Sequence, residues 1–116
     1  MSKSGRIEGM PRYASPQDPA WSEDMDAAIR AYGVSIRQQI VKYLRVNGPS
    51  MRIQIERGTG LSTGNVSQSL KVLEGTGVVT VDLKGVERST RPLTYSIDAA
   101  RAEYLWRLQG NYILGI

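Results

Sequence analysis

Leu61-Ser62-Thr63-Gly64-Asn65-Val66-Ser67-Gln68-Ser69-Leu70-Lys71-Val72-Leu73-Glu74 is the stretch on which the fold turns. Ser62 is a natural N-cap, because its hydroxyl accepts one of the backbone N–H groups that the first turn of a helix leaves without a partner. From there Val66, Leu70 and Leu73 recur at i, i+4 and i+7 and form a single apolar stripe that water disfavours. Gly64, Ser67, Gln68 and Lys71 recur at i, i+3, i+4 and i+7 on the opposite side. That second stripe is polar, short in side chain and nearly free of acids. A helix of this kind has one side to pack and another to present.

The flanks extend the pattern. Gly75-Thr76-Gly77 stops the helix, and Val79, Val81 and Leu83 then alternate with Thr80 and Asp82 as in a half-buried strand. Residues Lys84 to Thr90 form a basic loop, after which Leu93, Tyr95 and Ile97 alternate in a return strand. Upstream, the spacing predicts a short helix from Arg52 to Arg57, closed by Gly58-Thr59-Gly60. A longer one runs from Ser35 to Val46, with Ile36, Ile40, Tyr43 and Leu44 on one face and Asn47-Gly48-Pro49 as its stop. Ser22 with Glu23, Asp24 and Asp26 suits a helix start, where acids meet the positive end of the dipole, and this helix reaches Tyr32 and Gly33. Asp98 caps a last helix, 99–109, whose apolar residues are Ala100, Tyr104, Leu105 and Leu108 and whose stop is Gly110. The expected architecture is mainly α with a small β-hairpin. It comprises a flexible arm at 1–20, rich in Gly and Pro, one domain at 21–110 and a tail at 111–116.

Composition narrows the function. The chain has 116 residues, 41% of them hydrophobic, with 15 Lys+Arg against 11 Asp+Glu for a net charge of +4. That is enough apolar material for one modest core. It contains no Cys and no His, which removes disulfide frameworks, thiolate or imidazole zinc sites, Cys nucleophiles and Ser-His-Asp triads together. No metal site and no cofactor are expected. No apolar run reaches the roughly 18 to 20 residues of a membrane span, and no apolar segment follows Lys3 and Arg6, so a cytoplasmic protein without membrane contact is expected. Ser67 and Lys71 stand at i, i+4, but an exposed lysine gains nothing from burial that would let it activate a hydroxyl. The chain reads as a binding protein, not an enzyme.

Charge is unevenly placed. Residues 1–26 carry three bases and five acids, net −2; residues 27–97 carry ten bases and four acids, net +6; the remainder is neutral. A basic middle is the footprint of a polyanion binder, and the alternative is an ordinary solvated surface.

Three short helices followed by a hairpin suggest a winged helix-turn-helix, and Ala31 to Ile97 resembles the ArsR/MarR-type bacterial repressors. Ile36-Arg37-Gln38-Gln39-Ile40-Val41-Lys42-Tyr43-Leu44 is similar to the family's first packed helix, and Leu61 to Val79 to its recognition helix and the turn into its wing. Two positions depart from the family pattern. Glu56 stands where a small residue is usual and Thr59 where an apolar one is, so the preceding helix is expected to be shorter or packed differently. The metal-sensing branch of the family uses Cys, His and acidic ligands, so a sensor of thiophilic metals is not expected here.

The resemblance implies a transcriptional regulator, most simply a repressor in a prokaryotic cytoplasm associated with the nucleoid. It implies double-stranded DNA as partner, with a recognition helix at about 63–74 in the major groove and a wing at about 84–91 on the minor groove. On this reading Gly64 permits close approach, and Thr63 and Ser67 donate to phosphate or base edges. Asn65 and above all Gln68 read bases, since an amide pairs bidentately with adenine, while Lys71 meets a phosphate. Lys84, Arg88 and Arg91 belong to the wing, and a narrow minor groove attracts arginine. The alternatives are a solvated helix face and a solvated basic loop. Arg52 and Arg37 are further phosphate candidates, Arg37 being equally suited to a structural ion pair. Lys3, Arg6 and Arg12 could reach DNA from the arm or belong to an inert tail.

Related repressors dimerise through terminal helices. Ala28, Ile29 and Tyr32 with Tyr104, Leu105 and Leu108 are the corresponding apolar residues, implying a homodimer on an inverted repeat; alternatively they complete the monomer's own core. Trp21 and Trp106 are candidates for an effector pocket or for packing anchors, and the effector, if any, is open. Two other functions fit the same residues: an architectural or accessory DNA-binding factor of a mobile element, and a winged-helix protein-interaction module that never touches DNA.

Overall fold

Local signals start and stop most of the elements. The computed structural model describes residues 18–82 and 92–116. Along them run α1 (Glu23–Tyr32), α2 (Ser35–Asn47), β1 (Ser50–Met51), α3 (Arg52–Thr59), α4 (Thr63–Thr76), β2 (Val79–Val81), β3 (Thr94–Ile97) and α5 (Ala99–Leu114). Ser22, Ser62 and Asp98 cap α1, α4 and α5, their side-chain oxygens accepting from the backbone N–H groups of Met25, Asn65 and Arg101 at 3.3, 3.1 and 3.1 Å. At the other end of α4, Gly77 takes φ +86°, the left-handed geometry that leaves a side chain strained.

The two expected strands pair antiparallel, Val79 with Ile97 and Val81 with Tyr95. The hairpin is completed into a three-stranded sheet of order β1-β3-β2, because Ser50 and Met51 pair with Tyr95 and Thr94. Two residues are too short to carry an alternating signal, so β1 exists only through its partner. Beyond Val81 the ladder continues through Asp82, whose N–H donates to the Thr94 carbonyl at 3.2 Å and whose carboxylate accepts from the Thr94 N–H at 3.0 Å.

The core lies where α4 meets α1, α2 and α3, with α5 closing over α1. Val66, Leu70 and Leu73 are buried as their spacing requires, together with Ile40 and Leu44 of α2, and Ile36 and Tyr43 pack at its edge. Alanines 27, 28 and 31 make the buried face of α1 small enough for α5 to lie close. There the Tyr32 hydroxyl donates to the Ala102 carbonyl at 2.7 Å.

Three expectations are corrected. First, α3 continues to Thr59 instead of ending at Arg57. Gly58 lies inside the helix at a position where only a hydrogen fits, since a Cβ would stand 2.1 Å from Tyr43 Cε1, and left-handed Gly60 ends α3 with its N–H donating to the Glu56 carbonyl. Thr59 closes that helix through its hydroxyl, which donates to the Ile55 carbonyl at 2.7 Å and accepts from the Leu61 N–H at 3.2 Å. Second, α5 does not stop at Gly110 but runs to Leu114, with Gly115 in the left-handed conformation as its end. A single helical glycine costs only about 1 kcal/mol, and beyond it Tyr112 reaches Asp18 and Trp21. The buried residues of α5 are Ala102 and Leu105, and Ala100 is exposed. Third, the end of the expected arm is anchored: Asp18 accepts from the Tyr112 hydroxyl at 2.6 Å, and Trp21 meets the Tyr112 ring edge-on at 5.2 Å between centroids.

Arg101 joins three helices. Its Nε donates to the Thr76 carbonyl at 3.0 Å, at the negative end of α4, and its Nη2 to Asp24 of α1 at 3.0 Å. Arg101→Ala should therefore lower unfolding free energy by about 1–2 kcal/mol in urea titration, partial exposure reducing the ion pair's share. The tyrosine hydrogen bond holds the Asp18 carboxyl below its ordinary value, and the same bond raises Tyr112. This clip is accordingly whole between about pH 4 and about pH 10. It is lost as pH falls through the lowered Asp18 value or rises through the raised Tyr112 value. In carboxyl NMR titration, Tyr112→Phe should move Asp18 upward toward an ordinary aspartate.

Candidate nucleic-acid interface

Burial of Val66, Leu70 and Leu73 leaves α4 with its opposite side in water. Thr63, Gly64, Asn65, Ser67, Gln68 and Lys71 are all exposed on it. The side chains of Asn65, Gln68 and Lys71 are engaged by no other described residue. The first turn of α4 contains no acid, so the positive end of its dipole is uncompensated from within the helix. Gly64 is helical, and a Cβ there would meet nothing within 4 Å. Packing therefore does not require a glycine at this position, and what the missing side chain leaves is room outside the protein.

Thr63 differs from its neighbours. Its hydroxyl donates to Glu56 Oε1 at 2.9 Å, and Glu56 Oε2 holds the Arg52 guanidinium one turn earlier in α3. No local pattern announces this link, since Glu56 and Thr63 lie on different helices and meet only through the turn at Gly60. Arg37 donates to the Arg30 carbonyl and so braces α2 against α1; among the described residues it has no ion-pair partner. Lys84, Arg88 and Arg91 of the expected wing, and Lys3, Arg6 and Arg12 of the arm, lie outside the described residues.

Of the six apolar residues expected to face a second copy, three are taken up by the protomer itself. Ala28 and Leu105 are 0% exposed and Tyr32 9%, because the α1–α5 contact buries them. Ile29, Tyr104 and Leu108 retain exposure. Further apolar side chains stand exposed: Trp106 within α5, Ile113 and Leu114 on its extension past Gly110, and Ile116 after it. Trp106 also borders a cleft of about 260 Å³ with Tyr32, Val41, Ala102 and the Arg45–Glu103 ion pair. Trp21 lies elsewhere, so the two tryptophans share no pocket.

Residues 35–81, from the start of α2 to the end of β2, match the model of the arsR family of bacterial regulatory proteins. This is an ArsR-like winged helix-turn-helix domain. A match to a family of bacterial regulatory proteins over this segment, in a winged helix-turn-helix fold, indicates a DNA-binding transcriptional regulator. Solved structures agree in fold. The crystal structure of the transcriptional repressor BigR from Xylella fastidiosa aligns with TM-score 0.57 at 20% identity, covering 79% of this chain and 86% of that one. The ArsR family transcriptional regulator RHA00566 aligns with TM-score 0.57 at 16% identity, covering 80% and 92%. The solution structure of apo-NmtR aligns with TM-score 0.55 at 24% identity, covering 95% and 87%. No curated protein sequence matches the chain.

Among the described residues no cluster of His, Cys, Asp or Glu could hold a metal ion, and no helix is long and apolar enough to cross a membrane. Because no described residue touches the space over Gly64, Gly64→Ala should stabilise the isolated protein by about 0.5–1 kcal/mol, measured by thermal or urea unfolding.

Proposed function

We propose that this ArsR-like domain is a sequence-specific repressor that binds an inverted repeat as a homodimer, α4 entering the major groove and the segment at 84–91 lying along the minor groove. The observation that carries this is the exposed face of α4, which has no acid in its first turn and whose amide side chains and lysine are engaged by no other described residue, while Val66, Leu70 and Leu73 on the opposite face are buried. Gln68 and Asn65 read base edges; Lys71 and Ser67 bind phosphate; Gly64 lets the helix end come near the backbone. The wing residues Lys84, Arg88 and Arg91 add phosphate and minor-groove affinity.

The second copy is supported by exposed apolar side chains on α1 and on both sides of α5. Trp106 is 60% exposed, Ile113 76% and Ile116 84%, alongside Ile29 and Tyr104. A two-fold dimer through α1 and α5 buries that surface and sets two recognition helices about one DNA turn apart.

Selection of bound duplexes from a random pool should return a palindromic motif; several phased, non-palindromic sites would instead indicate an accessory factor. On the selected duplex Gln68→Ala should cost about 1–3 kcal/mol and relax one position. Lys71→Ala should weaken all duplexes and flatten the slope of log K against log salt by about 0.9. Binding that ignores salt would leave only the protein-interaction module. Sedimentation equilibrium should report a dimer that Ile113→Glu with Leu114→Glu converts to monomer.

A further inference from the structure

We propose that Glu56 governs how well this domain discriminates between DNA sequences, by withholding Arg52 and the Thr63 hydroxyl from the DNA backbone. The inference rests on the DNA-binding reading above and concerns a residue that reading does not use. Glu56 lies in α3, the helix before α4, and its side chain is only 12% exposed. Both carboxylate oxygens are committed, Oε2 to Arg52 and Oε1 to the Thr63 hydroxyl at 2.9 Å. Thr63 is the first residue of α4, so the carboxylate stands at the positive end of the recognition helix, where that helix has no acid of its own.

A helix N-terminus, a nearby guanidinium and a hydroxyl are the groups that would seize a phosphate whatever the sequence. One carboxylate offsets all three. It does not touch Asn65 or Gln68, whose contacts depend on the base pair. The charge therefore subtracts from backbone affinity and leaves base readout intact, and the ratio of specific to non-specific binding rises.

The test uses full-length protein, the best duplex selected from random DNA and a scrambled duplex of equal length, with affinities measured between 50 and 200 mM salt. Glu56→Gln keeps an acceptor for Thr63 but releases Arg52. It should bind scrambled DNA more tightly and steepen the salt slope by about 0.9, so that affinity falls about 3.5-fold more than in the parent over that fourfold rise in salt. The preference for the selected duplex should drop. Arg52→Ala alone should leave the parent's slope unchanged, and in the Glu56→Gln background it should restore that slope. Thr63→Val should not weaken binding to scrambled DNA. An unchanged slope in Glu56→Gln, or a flatter one in Arg52→Ala alone, overturns the proposal; the Arg52→Ala and Thr63→Val arms decide it even if Glu56→Gln fails to fold. Should Lys71→Ala flatten the slope while these arms fail, only the role of Glu56 is lost. Should the parent show no salt-dependent binding to either duplex, the DNA reading itself is lost.

Discussion

Val66, Leu70 and Leu73 are withdrawn from water by α1, α2 and α3 pressing on one side of α4, and nearly everything else follows from that contact. Three side chains of this size, fully buried, are each worth about 1.5–3 kcal/mol of transfer free energy, more than any polar link in the molecule. Their 3.6-residue spacing also fixes rotation: once this face is inward, Gly64, Ser67, Gln68 and Lys71 can only be outward. Packing and presentation are two consequences of one helical period.

Polar links then set the orientation that hydrophobic contact leaves loose. Apolar surfaces slide with little penalty, whereas a hydrogen bond to a particular carbonyl does not. Arg101 on the Thr76 carbonyl and on Asp24 binds the end of α4 to α5 and α1; Tyr32 on the Ala102 carbonyl joins α1 to α5. At the other end of α4, Glu56 ties the first residue of the helix to α3. Helix α4 is thus held at both ends by side chains from other elements, with its exposed face between them.

Legibility in the sequence divided along the range of the interactions. Helix starts at Ser22, Ser62 and Asp98 were readable because a cap is a contact over three residues. The faces of α2 and α4 were readable because periodicity is local. Strand β1 was not, since Ser50 and Met51 become a strand only when residues 94 and 95 arrive beside them. Within the expected stop Gly58-Thr59-Gly60 the helix runs through Gly58, and α5 runs through Gly110. In the first case it is Gly60, left-handed at φ +77°, that ends the helix, whereas at Gly58 the missing side chain makes room for the Tyr43 ring.

The sequence by itself determined that this is a small, mainly helical, basic domain with a cap-and-stripe helix like that of the ArsR regulators, and which side of that helix faces out. Periodicity, capping and residue chemistry suffice for that. Only the tertiary structure decided that Ala28, Tyr32 and Leu105 belong to the protomer's own core while Trp106, Ile113 and Ile116 remain open, and that Thr63 and Arg52 are bound to one carboxylate. The physical reason is the same for each. Whether a side chain is available depends on what folds against it, and those partners stand on other elements that no local pattern specifies.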